Sequence, residues 1–157
     1  MKGVAQEGGL DKGYAMLTVT TTAGTDLCFA AYRPGTYSTK GLQTNALQAL
    51  VQMNGQDVQT LYLAGGKTLT AGGSSITRSD SGLAYVEKTA AGSYLVGNPS
   101  PTAATVTVTL PALAGLKAFN LDDAGKRTGP ADVQTGSTPG SFTVPLKPSS
   151  KVEFASP

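Results

Sequence analysis

The 157-residue chain has no histidine and no tryptophan, a single cysteine, and charged side chains at only 14% of its positions. Each scarcity closes off a class of chemistry. Without an imidazole, Cys-His and Ser-His-Asp catalysis and His-ligated zinc are excluded within this chain. One cysteine can form no internal disulfide, and at this length a domain buries about two-thirds of its unfolded surface and needs no cross-link to stay folded. Cys28 lies in the apolar run Leu27-Cys28-Phe29-Ala30-Ala31 and is expected to be a buried thiol acting as a small hydrophobe. Twelve basic residues against ten acidic ones are scattered along the chain, which leaves no footprint for a nucleic acid. No apolar run approaches the stretch of about 18 residues that a membrane span needs, and MKGVAQEGG has no apolar leader core. The expectation at this end is either a cytoplasmic protein or a fragment of a longer secreted chain to which Met1 was added.

The positive signals are those of strands and turns. Two runs, Ala46 to Met53 and Asp57 to Ala64, flank Asn54-Gly55, the dipeptide best suited to positive φ at both centres of a type I′ hairpin loop. In the first run Leu47, Ala49, Val51 and Met53 share one face and Gln48 and Gln52 the other; in the second, Val58 and Tyr62 oppose Leu61 and Leu63. Leu47, Leu50 and Val51 also fit a helical spacing, but Asn-Gly and the β-branched and aromatic residues beyond it favour strands. Tyr14 to Thr20 and Asp26 to Tyr32 form another hairpin pattern, stopped by Arg33-Pro34-Gly35. Residues 1 to 13 read as a polar lead-in segment and Thr36 to Thr44 as a polar loop.

Glycine-punctuated pieces follow at Lys67 to Thr70, Ser74 to Arg78 and Gly82 to Lys88. Ser93 to Gly97 and Ala104 to Leu110 then read as a pair joined by Asn98-Pro99-Ser100-Pro101-Thr102. Thr105, Thr107 and Thr109 there alternate with Val106 and Val108, one face wet and one buried. Leu116 to Leu121, Ser141 to Leu146 and Lys151 to Phe154 complete the chain. About a dozen short strands with turns every eight to twelve residues predict a single all-β domain, an antiparallel β-sandwich over residues 1–157.

From about Thr60 onward, LYLAGGKTLTAGGSSITRSDSGLAYVEK, GSYLVGNPSPTAATVTVTLP and the ending SFTVPLKPSSKVEF resemble the C-terminal β-sandwich domains of bacterial polysaccharide lyases of the chondroitin/hyaluronan-lyase and heparinase II/III-like kinds. The catalytic Asn, His, Tyr and Arg of such lyases lie in a helical toroid or barrel, and no part of this chain resembles that. The resemblance implies a non-catalytic accessory module of a secreted or periplasmic enzyme. Its partners would be a polysaccharide, in particular an acidic one, and the catalytic domain of the parent enzyme. The Thr-, Gly-, Ser- and Ala-rich composition accords with extracellular bacterial β-domains.

A sugar-binding surface needs exposed rings to stack on pyranose faces, and cations if the glycan is acidic. The six tyrosines must carry the first requirement. Tyr32, Arg33, Tyr37 and Lys40 form the leading cluster, two rings and two cations around a Pro-Gly turn. Tyr62, Tyr85 and Tyr94 sit mid-strand among apolar neighbours, where core packing is expected. Lys67, Arg78, Glu87 and Lys88 read as charges paired across strands. Asn120 to Gly125 offers oxygens of the kind calcium uses, but the helix-flanked twelve-residue loop is absent and a hairpin turn explains the same letters. No cofactor is therefore expected. Ten scattered acids, among them Asp80, Glu87 and Asp122, single out no carboxylate pair for glycoside hydrolysis, and the chain by itself is expected not to be an enzyme.

Overall fold

The computed structural model describes residues 2–157. The chain forms β1 (Gly3–Gly9), β2 (Tyr14–Thr20), β3 (Thr25–Ala31), β4 (Tyr37–Thr39), β5 (Leu42–Thr44), β6 (Gln48–Asn54), β7 (Asp57–Ala71), β8 (Ser74–Lys88), β9 (Tyr94–Asn98), β10 (Ala104–Thr109), β11 (Lys117–Leu121), β12 (Arg127–Pro130), β13 (Gln134–Thr135), β14 (Ser141–Leu146) and β15 (Ser150–Ala155), with one 3-10 turn at Pro111–Leu113. All pairings are antiparallel. The fold is an all-β sandwich, as the strand and turn pattern predicts. No helix among the described residues is long and apolar enough to cross a membrane.

The longest elements hold the two layers together. β7 and β8 are each 15 residues long, and the glycines that look like strand ends in the sequence mark kinks within them. One layer runs β1-β2-β3-β6-β7-β8-β9-β15-β11-β12. In it the first half of β7 (Thr60 to Ala64) meets the second half of β8 (Leu83 to Glu87). Beyond the bulges around Gly66, Thr68 to Ala71 pairs with Ser74 to Thr77, and these halves belong to the other layer, with β5 on one side and β10 and β14 on the other. The strands thus change layers where Gly66 faces Gly82. Asn45 Oδ1 accepts the Lys67 and Thr68 backbone N–H groups at this kink, replacing ladder bonds lost there.

The core lies between the layers. Leu61, Leu63, Val86 and Val96 from one face Leu69, Ile76, Val106 and Val144 from the other, all essentially inaccessible to solvent. Phe142 and Phe154 meet across the gap with ring centroids 4.9 Å apart, and Tyr14, Phe29 and Tyr37 form a triangle of rings at the opposite end. Aromatic contacts of this geometry add to area burial by about 0.5–1.5 kcal/mol each.

Several local expectations shift. Ala46 to Met53 is strand, but Asn54 pairs with Asp57, so the loop is Gly55-Gln56 and only Gly55 has a positive φ, +62°. Glycine first with an ordinary residue second is the pattern of a type II′ loop rather than I′. A bulge at the adjoining ladder step inserts Gln59, which turns Val58 inward beside Leu61 and Leu63. The lead-in segment contains β1, an exposed edge strand held by its ladder to β2. The polar loop contains the β4-β5 hairpin, whose Leu42 and Thr44 are buried. β9 does not pair with β10, nor β14 with β15. The prolines of 98–102 cannot extend a ladder, and both connections instead carry the chain between layers.

Candidate functional site

Tyr32 and Arg33 follow β3 on a loop braced at both ends. The Tyr32 N–H donates to Gly13 O at 2.8 Å, and the Tyr37 hydroxyl donates to Arg33 O at 2.7 Å. Tyr32 is 55% exposed. Arg33 is exposed and has no ion-pair partner among the described residues, its guanidinium lying over Gly13. Tyr37 does something else: its ring packs against Tyr14 and Phe29. Lys40, exposed at the β4-β5 turn, precedes Gly41, which faces Leu27. Leu27 lies near the start of β3, whereas Tyr32 follows its end. Tyr32 and Arg33 are thus exposed on one loop, Tyr37 packs into the ring cluster and holds that loop through Arg33 O, and Lys40 stands on the separate β4-β5 turn.

Cys28 departs from expectation. It is exposed, because alternation along β3 sends Leu27 and Phe29 inward and the thiol to the outer face. Burial by its neighbours, then Asp26, raises its pKa, so the thiolate is disfavoured. Strand register continues the row from Leu17 through Cys28, Leu50, Tyr62 and Tyr85 to Gly97. Tyr62 and Tyr85 thus leave the core for this outer face, whereas Tyr94 is buried. Tyr85 lies flat over Gly97, where an added Cβ would stand 2.3 Å from the ring. Shallow troughs on this face run over Ala30 and Cys28, walled by Leu17 on one side and by Leu50 and Tyr62 on the other.

Among the charges, Lys88 pairs with Asp57 at 2.9 Å, while Arg78 is a core residue, 1% exposed. Arg78 donates to Asp80 Oδ1, to Leu83 O and to Asn98 Oδ1. Asn98, equally buried, donates to Thr102 O and Lys147 O. This network ties the kinked β8 to both interlayer connections and leaves no buried polar side-chain atom unpartnered among the described residues. At Asn120 to Gly125, Asp122 Oδ1 accepts the Lys126 N–H within a hairpin turn, and no cluster of three or more His, Cys, Asp or Glu placed to hold a metal occurs among the described residues.

A concavity larger than these troughs lies elsewhere, lined by the ends of β10, β11, β14 and β15. It encloses about 810 Å³, within the range of small-molecule sites. Buried Leu146 and Val152 contribute its apolar floor, and Asn120, Thr128, Asp132, Ser150, Lys147 and Lys151 its polar walls. These residues come from separate segments between Asn120 and Val152, and no spacing rule in the sequence joins them.

Fold and surfaces together define a two-layer antiparallel β-sandwich with an exposed Tyr-Arg loop, apolar outer troughs and an interlayer cleft. Comparison with protein-family models and with curated proteins found no match to this chain.

Proposed function

We propose that this domain is a non-catalytic accessory module of a secreted bacterial polysaccharide-degrading enzyme, a lyase of acidic polysaccharide, and that it binds the polymer through the loop after β3. The observation that carries this reading is that Tyr32 and Arg33, successive residues on a loop braced at both ends, are both exposed, with no ion-pair partner for Arg33 among the described residues. A ring supplies a stacking face for a pyranose, and a guanidinium takes a carboxylate in a two-point contact. Tyr37 acts as the support of that surface. Lys40, exposed on the β4-β5 turn, is a separate cation for the polymer.

Affinity gel electrophoresis against neutral and uronic-acid polysaccharides tests this. The expected result is retardation by the acidic polymers and at least a fivefold loss of it in Tyr32→Ala/Arg33→Ala. Equal migration in every gel would overturn the binding role.

A second reading has its own observation. The outer face around Leu17, Cys28, Ala30, Leu50 and Tyr62 carries two adjacent apolar troughs with exposed Leu17 and half-buried Leu50 and Tyr62 in their walls, the type of surface that packs on another domain. In that reading the module is structural and docks on its catalytic neighbour without touching sugar.

A further inference from the structure

The cleft between the layers differs from the Tyr32 loop in chemistry as well as place. It has no aromatic ring in its lining. Its floor is aliphatic, its walls are amide and hydroxyl, and its charges are Lys147, Lys151 and Asp132, none of which has an ion-pair partner among the described residues. Two cations against one carboxylate leave a single uncompensated positive charge, suited to one carboxylate ligand. The two lysines flank the Pro148-Ser149-Ser150 turn, and that turn is fastened on several sides. Asn98 Nδ2 donates to Lys147 O, the Ser150 hydroxyl donates to the same carbonyl, and the Ser149 N–H donates to Ser100 O at 3.0 Å. Ser149 is held at a φ of +52°, the one non-glycine positive φ among the described residues. The Lys147 carbonyl is thus tied to the buried Arg78-Asn98 network and Lys151 is fixed in the β15 ladder, so binding has only the two lysine side chains left to order.

From this arrangement we infer that the cleft is a binding site for a small carboxylate-bearing polyol, such as a uronic acid. The carboxylate is received by Lys147 and Lys151, the hydroxyls by Asn120, Thr128 and Asp132, and the C–H face by Leu146 and Val152. The site stands independently of polymer binding at Tyr32.

The test is titration of the ¹⁵N-labelled domain with glucuronate, glucose and acetate in parallel, following backbone amides by NMR. Glucuronate should shift the Lys147, Ser150, Lys151 and Asn120 amides and bind at least tenfold more tightly than glucose or acetate. Lys147→Ala/Lys151→Ala should weaken it at least tenfold, and Ala103→Asp, which adds a negative charge at an exposed lining position, should do the same without touching a lysine. Tyr32→Ala/Arg33→Ala should leave it unchanged, which separates this site from the polymer-binding loop. Absence of cleft shifts with glucuronate, shifts that persist undiminished in the lysine variant, or equal binding of acetate would each overturn the proposal.

Discussion

Arg78 and Asn98 show how one position can serve two strands and two loops at once. A guanidinium in the core is tolerated because its donors meet Asp80, Leu83 O and Asn98, and because Gly82 leaves room beside it: a Cβ at Gly82 would stand 2.5 Å from Arg78 Nε. Asn98 in turn accepts from Arg78 and the Ser100 N–H and donates to two carbonyls. Replacing it with alanine strands the buried Arg78 donor and removes three part-buried bonds, where an unsatisfied group costs about 1–3 kcal/mol. Asn98→Ala should therefore lower stability by about 3 kcal/mol or more, read as a shift in the urea midpoint at constant slope. A change under about 1 kcal/mol would show that water replaces the side chain. In the sequence Arg78 reads as one of several charges paired across strands, and nothing local signals that the Asn-Pro turn folds over it.

The element that matters most is the β7-β8 hairpin, which passes from one layer to the other. The passage requires backbones to come closer than side chains permit. A Cβ at Gly66 would lie 2.4 Å from Ala46 Cα and 2.6 Å from Asn45 O, atoms of the main chain that cannot swing aside. Gly66→Ala should accordingly destabilise by about 3 kcal/mol, at the upper end of ordinary overpacking. Gly3→Ala, with nothing within 4 Å of the new methyl and no positive φ, should be neutral. Equal thermal midpoints for the two variants would refute the idea that the layer change rests on this close approach. The glycine punctuation was plain in the sequence, but glycine marks a strand end, a bulge and a close approach with the same letter. Only the partner Ala46 distinguishes them.

Across the whole molecule, acidity should act through three paired carboxylates. The Lys88 ammonium holds Asp57 below the usual carboxylate range, Arg78 does so for Asp80, and Arg127, followed by the Ser93 hydroxyl, does so for Glu153. With folded pKa values depressed, their contributions are complete above the unfolded values of about 4 and are lost as pH falls through the folded ones. In the opposite direction, Lys88 and Arg127 are raised chiefly by the same Asp57 and Glu153 contacts, so their share is present at neutral pH and lost only in strong base. Because the chain has no histidine, the urea midpoint should be flat from about pH 7 to 5.5 and fall below about pH 4. Glu153→Gln should flatten part of that acid limb. A midpoint that drops between pH 7 and 5.5 would contradict this assignment.

Period-two alternation and turn residues were sufficient for the all-β class and for the inward faces of regular strands such as β10, because side-chain direction along an extended chain is a local property, but they missed β1 and the β4-β5 hairpin. Val106, Val108, Leu61 and Leu63 face the core as their spacing demands. Tertiary structure decided everything that depends on which strands become neighbours. It sent the prolines of 98–102 across the layers, put Cys28, Tyr62 and Tyr85 on the outer face, packed Tyr37 against Tyr14 and Phe29, and gathered Lys147, Lys151 and Asn120 around one cleft. Those outcomes follow from long-range pairing, whose stabilisation is shared among residues far apart in the chain and leaves no periodic trace in any one segment.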